Sequence, residues 1–232
     1  MIKTKPFSVI VPIFNEEKNI EILINQIKNS LVDFSSFEII IINDGSTDQS
    51  FKILKNLNKR NIKLLNNKKN MGQSFSIYEG IKNSKYDIIV TIDGDLQNDP
   101  GDIPKLLNIF NNDINIKLVS GIRKNRKDNL IKIYSSKIAN YIRASFLNDN
   151  CPDTGCSLKV FDKSIFLKID YFDGIHRFIP TFFENMKETV RYVNVSHHYR
   201  RYGKSKYGTF KRLFFGILDL YFVKNKIKNT IR

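Results

Sequence analysis

Apolar and polar positions repeat with two different periods along the first half of the chain. Short apolar runs at 7–13, 37–42, 62–65, 86–92 and 116–120 have the length and β-branched content of buried strands. Between them apolar residues return at helical spacing, as Ile20, Leu23, Ile24, Ile27 and Leu31 do after the first run. Further helices are predicted over 46–59, 72–83 and 103–110. Strands alternating with helices imply βαβ units and a largely parallel sheet. The second half is less regular. It predicts a helix over 132–146, strands at 159–161 and 191–197, and a long amphipathic helix over 210–228. No internal repeat or low-complexity linker interrupts the pattern. One α/β domain over 1–208 with a C-terminal helical extension over 209–232 is the expected organisation.

In open parallel sheets, ligands sit beyond the carboxyl ends of the strands. Three strand-end loops therefore carry the candidate chemistry: Asn15-Glu16, NDGS at 43–46 and DGD at 93–95. Asp93 and Asp95, one residue apart at a glycine-loosened strand end, can face one divalent cation, and Gln97 adds a neutral oxygen. Mg²⁺ or Mn²⁺ held in this way keeps open positions for diphosphate oxygens. Asp-Gly is also a common turn dipeptide; the position after the fourth strand of an alternating run favours the metal. In the second loop Asp44 can accept hydrogen bonds from a ribose or base, while Ser46 or Thr47 caps the next helix and Gly45 serves the turn.

Other chemistries lose their support. A P-loop is absent, and no G-x-G-x-x-G follows the first strand, which argues against a P-loop NTPase and a nicotinamide dehydrogenase. Cys151 and Cys156 are too few for a disulfide framework and lack zinc-ligand spacing; they read as buried thiols. His176, His197 and His198 read as strand-end and surface residues, and Phe178, Ile179, Phe182 and Phe183 as core. The N-terminus reads as a first strand with no signal-peptide cleavage site, and no run approaches the length of a bilayer span.

The chain has 232 residues, with 38 Lys+Arg against 23 Asp+Glu and a net charge of +15. Lysine outnumbers arginine 28 to 10, asparagine occurs 26 times, and alanine occurs only at Ala139 and Ala144. Such a bias raises net charge without any functional demand, so composition alone does not imply nucleic acid. Location is more informative. Residues 200–232 carry ten basic side chains and one acidic one, Asp219, leaving +6 for the other 199 residues. A basic nucleic-acid-binding protein would use the charge but not the DGD loop, and no nucleic-acid motif is present.

Three segments together resemble glycosyltransferase family 2: SVIVPIFNEE at 8–17, INDGSTD at 42–48 and TIDGDLQNDP at 91–100. DGDLQNDP is similar to the polyprenyl-phosphate branch of that family, which includes dolichyl-phosphate mannose synthase and undecaprenyl-phosphate glycosyltransferases. Further matching blocks lie at 121–123, 153–155, 174–180 and 200–208. The resemblance implies a GT-A fold, a nucleotide-sugar donor, Mg²⁺ or Mn²⁺, and inverting transfer of a hexose (from GDP-mannose or UDP-glucose) to a polyprenyl phosphate. Carried over by position, Pro12, Asn15 and Glu16 border the nucleotide, with Asp44 on its base or ribose side. Asp93, Asp95 and Gln97 form the metal and diphosphate site. Arg123 and Lys132 face anionic groups near donor and acceptor, and Arg200, Ser205 and Lys206 bind phosphate from a closing loop. Asp153 matches an acceptor-side carboxylate with a catalytic role, and Asp-Thr-Gly equally suits a turn cap. A family 2 enzyme acting on a saccharide hydroxyl is the alternative within the family.

Many relatives in this branch end with C-terminal transmembrane helices; no such helix is expected in the sequence up to Arg232. Instead, Phe214, Phe215, Ile217, Leu218, Leu220, Tyr221 and Phe222 are bracketed by Lys211, Arg212, Lys224, Lys226 and Lys228. That layout is expected of an interfacial helix at an anionic membrane surface. Packing of the helix on its own core, or docking onto a separate membrane subunit, are the other readings. Peripheral association with the cytoplasmic face of the membrane is the expected location.

Overall fold

A computed structural model describes residues 5–57, 60–123, 143–200 and 220–230. Seven strands form one sheet in the order β3-β2-β1-β4-β6-β5-β7. They are β1 Phe7–Ile13, β2 Phe37–Asn43, β3 Ile62–Asn66, β4 Ile88–Thr91, β5 Ile116–Arg123, β6 Lys159–Asp162 and β7 Thr189–Val195. β1 pairs in parallel with β2 and β4, and β2 with β3. β6 runs antiparallel between β4 and β5, and β7 returns parallel to β5. The expected mostly parallel α/β sheet is therefore present, with β6 as its reversed strand.

Both faces of the sheet are covered, which explains the near-continuous apolar runs of its central strands. In β1 and β2, Val9, Val11, Ile39 and Ile41 enter one core, and Ile10, Ile40 and Ile42 the other. The first core is closed by α1 (Ile20–Ser30), α2 (Ser50–Asn56) and α4 (Ile103–Asn112). The second is closed by α3 (Gln73–Lys82) and the Ile175–Asn185 helix, whose Phe178, Ile179, Phe182 and Phe183 are buried as expected.

Several boundaries differ from the sequence pattern for identifiable reasons. The helix expected over 46–59 begins at Ser50, because the preceding residues bind the loop after β1. The Asn15 N–H donates to Ser46 Oγ at 3.0 Å, and the Thr47 N–H donates to Asn15 Oδ1 at 2.7 Å. The Ser50 N–H is served by Asp48 Oδ1 at 2.9 Å; the N-cap position is Gln49, so neither Ser46 nor Thr47 caps the helix. His176 is not a surface or strand-end residue. It lies in the Ile175–Asn185 helix, partly buried, with Nδ1 2.8 Å from Ser74 Oγ on α3.

Most of the helix expected over 132–146 lies outside the described residues; 143–147 is helical. Of the helix expected over 210–228, residues 220–230 are described and helical. One face of that segment packs into the second core through Val223 and Ile227, and Phe222 meets Phe172 edge-on with ring centroids 5.6 Å apart. The other side leaves Tyr221 67% and Phe222 47% exposed. Core packing and an outward apolar face thus coexist on one helix. Among the described residues, no helix is long and apolar enough to cross a membrane.

Candidate active site

The carboxyl ends of β1, β2 and β4 lie side by side, because β1 pairs with both of the others. Their loops supply Pro12–Glu16, Asn43–Asp44 and Asp93–Gln97. Pro12 is still within β1, opposite Ile42, and its carbonyl lies 3.0 Å from where a Cβ on Gly94 would stand. Asn15 adopts φ +56°, and its side chain both accepts from the Thr47 N–H and donates to Thr47 Oγ1. Glu16 is buried, with its N–H on Ser50 Oγ and its carboxylate bonded to Asn19 Nδ2 and the Arg200 guanidinium.

Asp44 is also buried, and both of its oxygens are engaged. Oδ1 accepts from Asn67 Nδ2 at 2.8 Å and from the Met71 N–H at 2.9 Å; Oδ2 accepts from the Gly72 N–H at 2.9 Å. The carboxylate therefore clamps the loop that runs from β3 to α3. Gly45 reinforces the clamp. At φ +65°, a Cβ there would fall 2.4–2.7 Å from the backbone of Lys69 and Asn70, so only glycine fits.

Asp93 and Asp95 follow β4 directly. The Asp93 N–H donates to Ser157 Oγ at 3.2 Å, and Ser157 donates in turn to Asn98 Oδ1 at 2.7 Å. Burial, then repulsion from Asp95, raise the Asp93 pKa to about 6, against the pull of Ser157, Lys159 and Arg123. Two crowded carboxylates with this shift suit a bound cation. Among the described residues there is no group of three or more His, Cys, Asp or Glu able to hold a metal. The protein's share of a cation site here would thus be the Asp93–Asp95 pair. Mg²⁺ commonly takes one or two carboxylates and completes its shell with substrate phosphates and water. Leu96 turns the loop at φ +62°. Gln97 is tied to the segment after β7, donating from Nε2 to the His198 carbonyl at 3.4 Å and accepting the His198 N–H at 2.8 Å.

Two arginines reach this region from the second half of the chain. Arg123, at the end of β5, lies bidentate on Asp153 at 2.8 and 2.7 Å. Burial works against its charge, but the hydrogen bonds and charge of Asp153 outweigh it and raise the Arg123 pKa. Arg200 bonds Glu16 and lies 4.0 Å from Asp95 Oδ2. Lys132, Ser205 and Lys206 lie outside the described residues.

Sequence reasoning missed Gln73, whose Nε2 donates to Asp93 Oδ1 at 2.7 Å. The strand-end rule would have found it, since the loop after β3 is the one strand-end loop of that sheet half left out of consideration. It also missed Ser157, two residues before β6, and Lys159, its first residue. Lys159 is buried and bonded to the Cys156 carbonyl. Cys151 and Cys156 are free, buried thiols, their pKa values raised by burial.

A mostly parallel sheet with an acidic pair at one central strand end is the architecture of GT-A glycosyltransferases, and solved structures of that class superpose on it. Glucosyl-3-phosphoglycerate synthase from Mycobacterium tuberculosis, crystallised with Mn²⁺, UDP and phosphoglyceric acid, matches with a TM-score of 0.71 at 17% identity, over 95% of this chain and 78% of that one. Another crystal structure of that enzyme, with Mg²⁺ and UDP, matches with a TM-score of 0.66 at 16% identity, over 93% and 79% of the two chains. The chain belongs to glycosyl transferase family 2, which it matches over residues 8–170. It is 34% identical to dodecaprenyl-phosphate galacturonate synthase of Rhizobium johnstonii, over 94% of this chain and 66% of the relative. It is 30% identical to undecaprenyl-phosphate 4-deoxy-4-formamido-L-arabinose transferase of Pectobacterium carotovorum, over 89% and 64% of the two. The chain thus spans about two thirds of the length of these relatives.

Proposed function

We propose that the chain transfers a sugar from a nucleotide-sugar to a polyprenyl phosphate, with inversion, at the cytoplasmic face of a membrane. The observation that carries this reading is the convergence of the Asp93–Asp95 pair with Arg123 and Arg200 at one end of the sheet. The two relatives named above, each named for a polyprenyl-phosphate acceptor, support it. Their sugars differ from one another, so the donor is assigned here only as a nucleotide-sugar.

The residue types suit that chemistry. A lipid monophosphate is already nucleophilic near neutral pH, so it needs no strong general base. Bringing an anionic acceptor to an anionic diphosphate is the harder step. Mg²⁺ or Mn²⁺ on Asp93 and Asp95, with Gln97 beside them, would neutralise charge on the departing nucleoside diphosphate. Pro12, Asn15, Glu16 and Asp44 border the nucleotide, with Asp44 on its ribose or base side. Arg123, oriented by Asp153, faces the acceptor phosphate; Arg200, Lys206 and Lys132 supply further positive charge, and Ser205 a hydroxyl donor to phosphate. Asp153 acts through Arg123 and not as a free base. The outward face of 220–230, with Tyr221, Phe222 and Lys224, suits an anionic bilayer surface or a membrane subunit.

Incubation with radiolabelled nucleotide-sugars and a lipid extract tests this reading. Label is expected in an organic-extractable product. Label confined to water-soluble saccharide would favour transfer to a hydroxyl acceptor instead.

A further inference from the structure

We propose that Gln73 is a positioning residue of the donor site, which orients Asp93 for a divalent cation; the inference rests on the nucleotide-sugar reading above. Gln73 opens α3 directly after the loop that Asp44 clamps. Three hydrogen bonds of 2.8–2.9 Å from Asn67, Met71 and Gly72 converge on the one carboxylate. From the other side, the backbone of Lys69 and Asn70 packs against Gly45 with no room for a Cβ. The loop before Gln73 is therefore fixed twice, by residues of the β2 end. That end is itself aligned with β1, since the Asp44 N–H donates to the Ile13 carbonyl at 2.8 Å.

This fixed loop delivers a side-chain amide to Asp93 Oδ1 at 2.7 Å. The Asp93 main chain is held independently by Ser157. With Oδ1 anchored by a neutral donor, the carboxylate plane is set and its charge is retained. Oδ2, the oxygen that Gln73 does not hold, is the one offered to the cation. A neutral amide suits this position, because an ammonium or guanidinium at the same place would cancel the charge that a metal needs. The NDGS loop thus reaches the DGD loop through Gln73, and Asp44 contributes to the donor site by clamping as well as by contact.

Mn²⁺ titration of the full chain, followed by electron paramagnetic resonance, alone and with UDP or GDP, tests the proposal. Gln73→Met keeps the length of the side chain and removes the N–H. Gln73 is exposed, so the metal-free thermal midpoint is expected to stay unchanged. Mn²⁺ affinity is expected to fall about tenfold or more, the usual consequence of losing a hydrogen bond to a ligating group. Gln73→Ala should match Gln73→Met, because both lack the donor. Equal Mn²⁺ affinity in wild type and Gln73→Met would overturn the positioning role while leaving the donor site standing. Absence of Mn²⁺ binding by the wild type, with and without nucleotide, would overturn both.

Discussion

Arg123 and Asp153 form a closed pair: the guanidinium donates from Nε at 2.8 Å and from Nη2 at 2.7 Å, and the Arg123 main-chain N–H adds a bond of 3.1 Å to the same carboxylate. Their side chains are only 16% and 8% exposed. A carboxylate committed in this way holds an arginine at the end of β5. At its close neighbour Gly155, a Cβ would lie 2.5 Å from Arg123 Nη2, so a side chain there would displace the guanidinium.

Replacing Asp153 with Asn keeps its shape and removes the counter-charge of a partly buried guanidinium. Breaking a buried pair from one side costs on the order of 3 kcal/mol. Urea denaturation is expected to show a loss of that size. Steady-state kinetics should show a raised KM for the lipid acceptor with the donor KM little changed, because Arg123 would no longer be held in place.

Asp95→Asn removes one of the two carboxylates offered to the cation and leaves the loop otherwise intact. Charge stabilisation by such a metal is worth several kcal/mol, so turnover is expected to fall by about two orders of magnitude or more. Circular dichroism should be unchanged. Full activity in the variant would remove the metal assignment.

His176 predicts a specific acid response. Burial, then the charges of Arg177 and Lys159, lower its pKa from 6.5 to about 3. The unfolded chain accepts this proton near pH 6.5 and the folded chain does not, so the unfolded state binds more protons between those values. The stability that a neutral His176 contributes is full above pH 6.5. It declines as pH falls toward 3, by about 1.4 kcal/mol per pH unit at most for one group. His176→Gln is expected to flatten the dependence of unfolding free energy on pH within this window. An unchanged slope would mean that other groups govern it.

The exposed aromatic face of the C-terminal helix makes a separate prediction. Tyr221→Ser should lower co-sedimentation with anionic phosphatidylglycerol vesicles several-fold and leave nucleotide binding intact, and it spares Phe222, which packs on Phe172. Val223 and Ile227, which hold the helix to the core, are untouched by the change. Unaltered vesicle binding would assign membrane contact to another surface.

The alternating strands and helices were legible in the sequence because both faces of this sheet are buried, and few architectures besides a covered parallel sheet produce such continuous apolar runs. The DGD loop was legible for a different reason: paired carboxylates stand out against an apolar strand. Local side-chain pairing was not legible. Nothing in the order of residues shows that Ser46 and Thr47 would serve Asn15, which delays α2 to Ser50. Nor does it show that Asp44 would commit both oxygens to the loop before Gln73. The antiparallel reversal of β6 was hidden as well, since Lys159–Asp162 contributes only four residues and a buried lysine. Core packing and membrane contact of 210–228 appeared in the sequence as competing readings; Val223 and Ile227 show the packed face, and membrane contact of the other face is a proposal.

The central claim is that the acceptor is a lipid phosphate, and the product decides it most directly. The full chain should be incubated with Mn²⁺, a panel of nucleotide-sugars and purified undecaprenyl phosphate, and the lipid fraction analysed by mass spectrometry. A metal-dependent glycosyl phosphodiester, one sugar heavier than the lipid phosphate, is expected, and it should disappear with Asp95→Asn. Unconsumed lipid phosphate alongside sugar transferred to a soluble saccharide would contradict the claim.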